Sequence, residues 1–267
     1  MKRGPWMKPI AVVTAIAFAL WAVSAYLLLP VLWTHHERQP GLADKPMITR
    51  TGQGIPGDPL NVGLVGLRAD VVRAMHEAGW YPADPVTLRS SVEIVGSVVL
   101  HRPYRHAPVS PLYYEGRRED LAFEKPVGDS ADHRHHVRFW QTLDKGAEGR
   151  PVWLGSATYD RSVGLSHYTG AVTHHIAPDI DEERALVLDD LTRARVVEAS
   201  YRVTGVGPTL NGRNGGGDRY FTDGEIWIAR LTQDARPSET PPQVLESPPL
   251  VAWKDSIWNG AKGMFGR

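Results

Sequence analysis

Residues 134–160 read RHHVRFWQTLDKGAEGRPVWLGSATYD, and this stretch decides the fold. Residues 135–140 and 152–160 are short runs rich in β-branched and aromatic residues, and a polar segment containing Gly and Pro separates them. Together with the run at 121–125 they predict three successive strands. The connections are too short for helical crossovers, so we expect the strands to pair in antiparallel fashion.

The flanking segments predict further strands and helices. Residues 60–66 have the composition of a buried strand, and 68–78 show helical spacing before Gly79, which suits a left-handed C-cap. Further helices are expected over 88–100 and from Asp179, an N-cap residue with Glu182 three positions on. Strands are expected at 195–204 and 222–231, around the glycine-rich loop 211–218. The sequence therefore predicts an α+β domain, in which an antiparallel mixed sheet packs with two to three helices.

The N-terminal region carries a candidate membrane span. Residues 10–33 contain no Asp, Glu, Lys, Arg or His, and about 20 apolar residues in a helix cross a hydrocarbon core of roughly 30 Å. The alternative is a cleavable signal peptide ending near Ala25. However, the apolar run continues to Trp33, whereas the apolar region of a signal peptide has roughly 7 to 15 residues. We therefore expect an uncleaved transmembrane helix, a signal-anchor.

The charges around this span predict its orientation. Residues 1–9 contain Lys2, Arg3 and Lys8, whereas the residues that follow the span balance basic with acidic side chains. The positive-inside rule then places this N-terminal segment in the cytoplasm. We expect a single-pass protein of the cytoplasmic (inner) membrane, with the bulk of the chain outside the cytoplasm, on the periplasmic side of the cell envelope.

Composition divides the remainder of the chain. Residues 34–57 are rich in Gly and Pro and are expected to form a linker, followed by a folded domain over 58–232 and a Pro-rich linker over 233–250. The tail 251–267 predicts an amphipathic helix that either lies in the membrane interface or packs back on the domain. Its apolar face comprises Trp253, Ile257, Trp258, Ala261 and Phe265.

The overall charge balance excludes one class of partner. Lys and Arg total 30, and Asp and Glu also total 30. A protein that binds nucleic acid would show a basic excess. No nucleic-acid partner is therefore expected.

A cluster of cationic residues predicts an anion-binding site. Strand alternation puts Arg134, His136 and Arg138 on one face, and Arg is suited to bidentate contacts with phosphate or carboxylate. The candidate residues are Arg118, Lys125, Arg134, His136 and Arg138. The alternative is internal ion pairing, of Arg118 with Asp120 or Glu124 and of Arg138 with Asp160.

A divalent metal site is the second hypothesis. Two imidazoles and one carboxylate form a common zinc or iron site that leaves a position open for an activated water. Because adjacent strand residues face opposite sides, one histidine of each doublet is expected at a common centre. The candidate ligands are His136, His174, His175, Asp160 and Asp179. Otherwise the histidines are hydrogen-bonded structural groups, Asp179 is only a helix cap, and no cofactor is bound.

Four ordered motifs resemble the LssY C-terminal domain family: REDLAFEK at 118–125, RHHVRFW at 134–140, WLGSATYD at 153–160 and THHIAPDIDEER at 173–184. The resemblance covers about 58–231. It implies an envelope protein, since this domain is often carried behind integral-membrane modules of the phosphatidic-acid-phosphatase or DedA type, and it assigns no activity to the domain itself. The chain has one span and lacks lipid-phosphatase motifs, so phosphatase activity is not transferred to it.

These observations favour a noncatalytic binding or accessory module of the envelope. It would be anchored through 10–33, with 251–267 as a candidate second membrane contact, and would recognise an anionic lipid or another anionic envelope ligand. A metal-dependent hydrolase that uses the His and Asp cluster is the alternative. Scaffolding through the C-terminal helix is a third option, and no motif decides whether the protein is an enzyme.

Overall fold

An apolar N-terminal helix precedes an α+β domain in the computed structural model, which describes residues 7–28, 39, 41–42, 45–85, 89, 111–128, 133–203, 211–247, 249, 252–253, 256–257 and 260. The helices are α1 (Met7–Val23, continued by a π-helical turn at Ser24–Leu28), α2 (Arg68–Glu77) and α3 (Ile180–Arg193). The strands are β1 (Ile48–Thr51), β2 (Pro56–Pro59), β3 (Val62–Val65), β4 (Tyr81–Pro82), β5 (Leu112–Tyr114), β6 (Arg117–Arg118), β7 (Leu121–Pro126), β8 (Arg134–Leu143), β9 (Val152–Leu165), β10 (Val172–Ile176), β11 (Val197–Val203), β12 (Asn211–Arg213), β13 (Arg219–Phe221), β14 (Ile226–Leu231) and β15 (Gln243–Leu245).

The strands form a large mixed sheet, a small sheet and a hairpin. The large sheet has nine strands in the order β15-β11-β14-β3-β9-β8-β7-β4, with β10 also paired to β9. Its pairs are antiparallel except β14 with β3 and β11 with β15. The small sheet has the order β2-β1-β5-β6, and β12 pairs with β13. The expected α+β class, with mostly antiparallel strands, is confirmed.

The stretch that opened the sequence analysis forms the middle of the large sheet. Strands β7, β8 and β9 pair in antiparallel register, as expected. Arg134 lies opposite Asp160, and Arg138 lies opposite Ser156. Because directly opposed residues of an antiparallel pair share a face, this register places side chains from both strands on the same side of the sheet.

Two apolar layers cover the two faces of the large sheet. On one face, α2 and α3 pack against a cluster that includes Val137, Phe139 and Trp153. On the other face, Leu112 and Tyr114 of the small sheet join a second cluster with Trp140 and Leu154. Neighbouring residues enter different clusters because a strand alternates its side chains with a period of two. Full burial of a large apolar side chain contributes roughly 1.5 to 3 kcal/mol.

Local signals account for α2 and α3. Asp179 is the N-cap of α3, where its side chain accepts a hydrogen bond from the backbone N–H of Asp181 at 3.1 Å. The expected apolar stripe of α3, which includes Val187 and Leu191, is buried. After α2, Gly79 adopts a φ of +80°, the left-handed conformation expected of it.

The N-terminal helix fits a membrane span by length and composition. Residues Pro9–Leu28 form a continuous apolar stretch of 20 residues, none of it buried against the domain. Apolar surface of this extent is unfavourable in water. The remainder of the expected span, up to Trp33, lies outside the described residues.

Two expected linkers contain ordered structure, so their predicted extents are wrong. Within 34–57, strand β1 and the start of β2 belong to the small sheet. Within 233–250, Gln233–Ala235 forms a 3-10 turn and β15 adds a parallel strand to β11. Both β2 and β15 are edge strands. Proline is tolerated at sheet edges because one side of the strand needs no ladder hydrogen bond, so Pro-rich composition did not exclude strands here.

Two expected helices fall largely outside the described residues. The helix expected over 88–100 has one described residue, Arg89. In the tail 251–267, the described positions are helical, and Trp253 and Ile257 are exposed.

Candidate functional site

One face of β8 and β9 buries a row of polar side chains. Strand alternation directs Arg134, His136 and Arg138 to this face, as expected, and the register adds Ser156, Thr158 and Asp160 from β9. We call these six residues the polar face, and all six are buried. Each buried polar group without a partner costs roughly 1 to 3 kcal/mol, so a buried polar row on the sheet face that also carries the apolar Trp140 and Leu154 marks a candidate functional site.

Arg134 links three side chains of this face. Its Nη1 lies 3.0 Å from Glu124 Oε2, and its Nε lies 3.2 Å from Asp160 Oδ2. Its Nη2 lies 3.3 Å from His174 Nε2 on β10. His174 Nδ1 is in turn 3.6 Å from Asp160 Oδ2. The positive charge of Arg134 is therefore balanced locally by two carboxylates.

His136 lies in a positively charged environment. Burial lowers the pKa of its imidazole well below the usual value, and the charges of Arg138, Arg134 and His174 lower it further. Its Nε2 is buried and makes no hydrogen bond within the described part of the chain. The geometry therefore keeps this imidazole neutral.

Arg138 faces a carboxylate from the small sheet. Its Nη1 lies 3.6 Å from Asp58 Oδ2 on β2, and Asp58 Oδ1 accepts a hydrogen bond of 3.1 Å from Asn214 Nδ2. Burial raises the pKa of the Asp58 carboxyl, and the nearby charges of Asp160 and Asp218 also raise it, against the lowering effect of Arg138 and Asn214. Asp58 is therefore protonated more readily than an exposed aspartate.

A pocket of about 220 Å³ opens beside these residues, between the large sheet and the loops of the small sheet. One water needs about 10 to 15 Å³ on this kind of measure, so the pocket admits a much larger group. Its charged lining comprises Asp58, Arg138, Asp160 and His174. Its uncharged polar lining includes Thr158, Ser166, Thr173 and Asn214.

Four exposed apolar side chains lie around the hairpin that joins β9 to β10. They form what we call the apolar rim: Val163, Leu165, Tyr168 and Val172, which are 43%, 62%, 52% and 70% exposed. Val172 also lines the pocket. Leu165 lies opposite Val172 and Val163 opposite His174, so the strand members of the rim share the face of the pocket.

The second histidine of the β10 doublet enters a separate cluster. His175 Nδ1 lies 2.8 Å from Asp218 Oδ1, and His167 Nε2 lies 3.7 Å from the same oxygen. One ligand atom from each of these three residues lies within 4.8 Å of the others. His174 and His175 therefore project to opposite sides of β10, as strand alternation predicts, and His175 lies apart from His174 and Asp160.

The other candidate residues lie away from the pocket. Arg118 pairs with Glu119 at 3.1 Å on the exposed β6, and Lys125 pairs with Asp190 of α3 at 2.7 Å on the helix-covered side of the sheet. Asp179 caps α3. Of the five expected anion-binding residues, the structure brings together Arg134, His136 and Arg138. Of the five expected metal ligands, His174 and Asp160 are neighbours, with His174 Nδ1 3.6 Å from Asp160 Oδ2, and His136 lies on the same strand face, but among the described residues these three do not form a group spaced to hold a metal ion.

Sequence reasoning missed several residues of the pocket and of the cluster of His167, His175 and Asp218. Asp58 is the first residue of the expected domain, directly after the Gly- and Pro-rich segment 34–57, and although Thr158 and Thr173 lie within family motifs, neither threonine is among the candidate site residues. Asp218 had one usable signal: it directly follows Gly215–Gly217, a turn that presents the next side chain at the start of a strand. The distance along the chain between these residues hid their association.

Comparison with known families agrees with the motifs. A family model described as the LssY C-terminus matches residues 41–226. The chain belongs to this family. The resemblance seen in the sequence is thereby confirmed. The LssY C-terminal match includes the polar face, the pocket and the cluster of His167, His175 and Asp218, whereas α1 and β15 lie outside it. Searches among curated proteins and among solved structures find no match.

Proposed function

We propose that this LssY C-terminal protein is a membrane-anchored binding module of the cell envelope, whose pocket receives the phosphate or carboxylate group of an amphiphilic ligand. The observation that carries the proposal is the combination of a buried cation, Arg138, and an exposed apolar rim at one cavity. Neither feature contributes to the two apolar clusters that hold the fold together.

The polar part of the pocket suits an anion. The guanidinium of Arg138 can donate two parallel hydrogen bonds to phosphate or carboxylate. Thr158, Ser166 and Thr173 add hydroxyl donors to the lining. The negative charges of the two carboxyl groups in the lining are reduced. Arg134 pairs with Asp160, and burial favours the neutral form of Asp58.

The apolar part of the site suits the hydrocarbon portion of the same ligand. Leu165 and Val172 are more than half exposed although they lie opposite each other on adjacent strands. Contiguous exposed apolar side chains commonly mark binding sites for lipids or partners. An amphiphile would then place its anionic group against Arg138 and its chain against the apolar rim.

The anchor would keep this site near the bilayer. In this proposal α1 spans the cytoplasmic membrane with the N-terminal segment in the cytoplasm and the domain on the periplasmic side, consistent with the basic residues before the span. The exposed Trp253 and Ile257 of the tail would add a second contact with the membrane interface.

The proposal can be tested with the full chain in phosphatidylcholine nanodiscs, titrated with inorganic phosphate, short-chain phosphatidylglycerol and short-chain phosphatidylcholine. Arg138→Gln should weaken binding of both anionic probes by roughly 10-fold or more, since a hydrogen bond to a charged group contributes about 1.5 to 3 kcal/mol. The control is Arg193→Gln, which changes an exposed arginine of α3. It should leave both affinities unchanged.

A rim variant distinguishes a lipid from a free anion. Leu165→Ser combined with Val172→Ser should weaken binding of phosphatidylglycerol but not of phosphate, because only the lipid contacts the rim. If this variant changes neither affinity while Arg138→Gln weakens both, the ligand is a small anion and the lipid part of the proposal is wrong. Equal affinities for wild type and Arg138→Gln would refute the anion pocket.

A further inference from the structure

A second candidate site lies beside the pocket and uses none of the charged residues that line it. His167 stands in the turn between β9 and β10, His175 lies on β10, and Asp218 directly precedes β13. Asp218 Oδ1 is 2.8 Å from His175 Nδ1 and 3.7 Å from His167 Nε2. The two imidazole rings have centroids 5.4 Å apart. Three separate segments therefore converge on one point.

The ligand atoms of the three residues all lie within 4.8 Å of one another, close enough to surround a small cation after a small adjustment. Zinc binds His nitrogen and carboxylate oxygen at about 2.0 to 2.2 Å, so ligand atoms in a tetrahedral site lie roughly 3.3 to 3.6 Å apart. The 3.7 Å between His167 Nε2 and Asp218 Oδ1 lies just above that range, whereas the 2.8 Å between His175 Nδ1 and Asp218 Oδ1 is a hydrogen bond that a bound cation would replace. Two histidines and one carboxylate with an open position are a common set for zinc or iron. We propose that His167, His175 and Asp218 bind a divalent transition-metal ion, with Zn²⁺ as the reference case.

Neighbouring glycines make room for both imidazoles. A β-carbon at Gly164 would overlap the ring of His175, and one at Gly217 would lie 2.7 Å from Cβ of His167. Gly217 also has a φ of +89°, which a side chain would strain. The backbone around the three residues therefore accommodates the histidine side chains in this arrangement.

Hydrogen bonds fix the backbone and orient the carboxylate. The N–H of His167 donates to the carbonyl of Gly216 at 2.8 Å. Asp218 Oδ2 accepts from the N–H of Ile176 at 3.2 Å, which leaves Oδ1 directed at the histidines. Such outer contacts hold ligands in position and tune metal affinity.

The exposure of the three side chains suits an accessible metal site. Asp218 is 3% exposed, His175 17% and His167 61%. The buried carboxylate of Asp218 supplies negative charge at the inner end of the site. The exposed His167 lies at the outer end, where an ion can enter from solvent. An ion held by three protein ligands would keep a position for water or for an anionic ligand group.

The test is metal binding by the full chain in detergent, prepared without a histidine tag. Zn²⁺ is titrated by calorimetry, and Co²⁺ is titrated while its visible d–d absorption is recorded. The wild type should bind one equivalent and give a tetrahedral or five-coordinate Co²⁺ spectrum. His167→Ala should weaken binding by at least about 100-fold, since the loss of an outer contact alone costs roughly 10- to 100-fold. The control His133→Ala changes another exposed histidine and should leave the affinity unchanged.

Asp218→Asn provides a second variant that keeps the hydrogen bond to Ile176 but removes the charge. Equal Zn²⁺ affinity in wild type and His167→Ala, or the same Co²⁺ spectrum in both, would overturn the assignment, as would the absence of a stoichiometric site. The result is independent of the anion pocket, because the titrations use metal alone and Arg138→Gln should leave Zn²⁺ binding intact.

Discussion

Replacing Arg134 by Met tests how the buried charges of the polar face are balanced. The side chains of Arg134 and Asp160 are 7% and 5% exposed, and Arg134 Nε lies 3.2 Å from Asp160 Oδ2. Methionine fills much of the same space but removes the guanidinium, and among the ion pairs of the described residues Asp160 then keeps the contact of its Oδ2 with His174 Nδ1 at 3.6 Å. Removing one partner of a buried ion pair typically costs about 3 to 5 kcal/mol. We expect Arg134→Met to lower the free energy of unfolding by that amount.

Urea unfolding of the full chain in detergent, followed by tryptophan fluorescence, would measure the change. The matched control is Arg193→Met, which breaks an ion pair whose arginine side chain is 67% exposed and should cost at most about 1 kcal/mol. Adding Asp160→Asn to Arg134→Met should recover part of the lost stability, because the isolated carboxylate is then gone. A loss in Arg134→Met no larger than in Arg193→Met would refute the reasoning.

Three further predictions concern pH, packing and topology. Burial and the neighbouring positive charges lower the pKa of His136 in the folded state. Below about pH 6.5 the unfolded chain therefore binds a proton at this site that the folded chain does not, and the free energy of unfolding should decrease as the pH is lowered, by at most about 1.4 kcal/mol per pH unit. Urea unfolding of His136→Gln at pH 7.5 and 5.5 should show a smaller fall, and an unchanged fall would count against this prediction. Gly155→Ala puts a β-carbon 2.6 Å from the Phe139 ring and 2.9 Å from the Arg138 carbonyl, so it should cost roughly 1 to 3 kcal/mol in the same assay, whereas Gly260→Ala, with no atom within 4 Å, should cost nothing measurable. Alkaline phosphatase fused to the C-terminus should be active outside the cytoplasm, and activity of a cytoplasmic reporter at that end would contradict the proposed orientation.

The core of the large sheet was predictable because its signals are local. The runs that became β7, β8 and β9 alternate side chains over a few residues, and this alternation correctly grouped Arg134, His136 and Arg138 on one face. The cap at Asp179 and the apolar N-terminal helix were predictable for the same reason. Each depends on residues that are close in the sequence, a few positions for the helix cap and 20 for the apolar helix.

The sequence-based predictions fail where local composition does not show which strands are neighbours in the folded sheet. Lys125 was grouped with the anion site, but its register opposite His135 directs it to the helix-covered side. The segments that contain β2 and β15 have the Gly- and Pro-rich composition of linkers, but proline is tolerated in strands at the edge of a sheet. In both cases the outcome depends on the order and pairing of the strands, which local composition does not reveal.

Period-two alternation, a helix cap and an uncharged run of about 20 residues are short-range properties. The amino-acid sequence was therefore enough to predict an α+β domain, an apolar N-terminal helix and a polar strand face. Only the packing of strands and loops brings Asp58 to Asn214, which is 156 positions away in the sequence. The same packing separates His174 and His175 into two centres. Packing sets the distances between these groups; hydrogen bonds and metal–ligand bonds form only over a few ångströms, and the Coulomb energy of a pair of charges falls as their distance grows. The composition of the pocket and of the His167, His175 and Asp218 cluster therefore emerged only once the sheets were assembled.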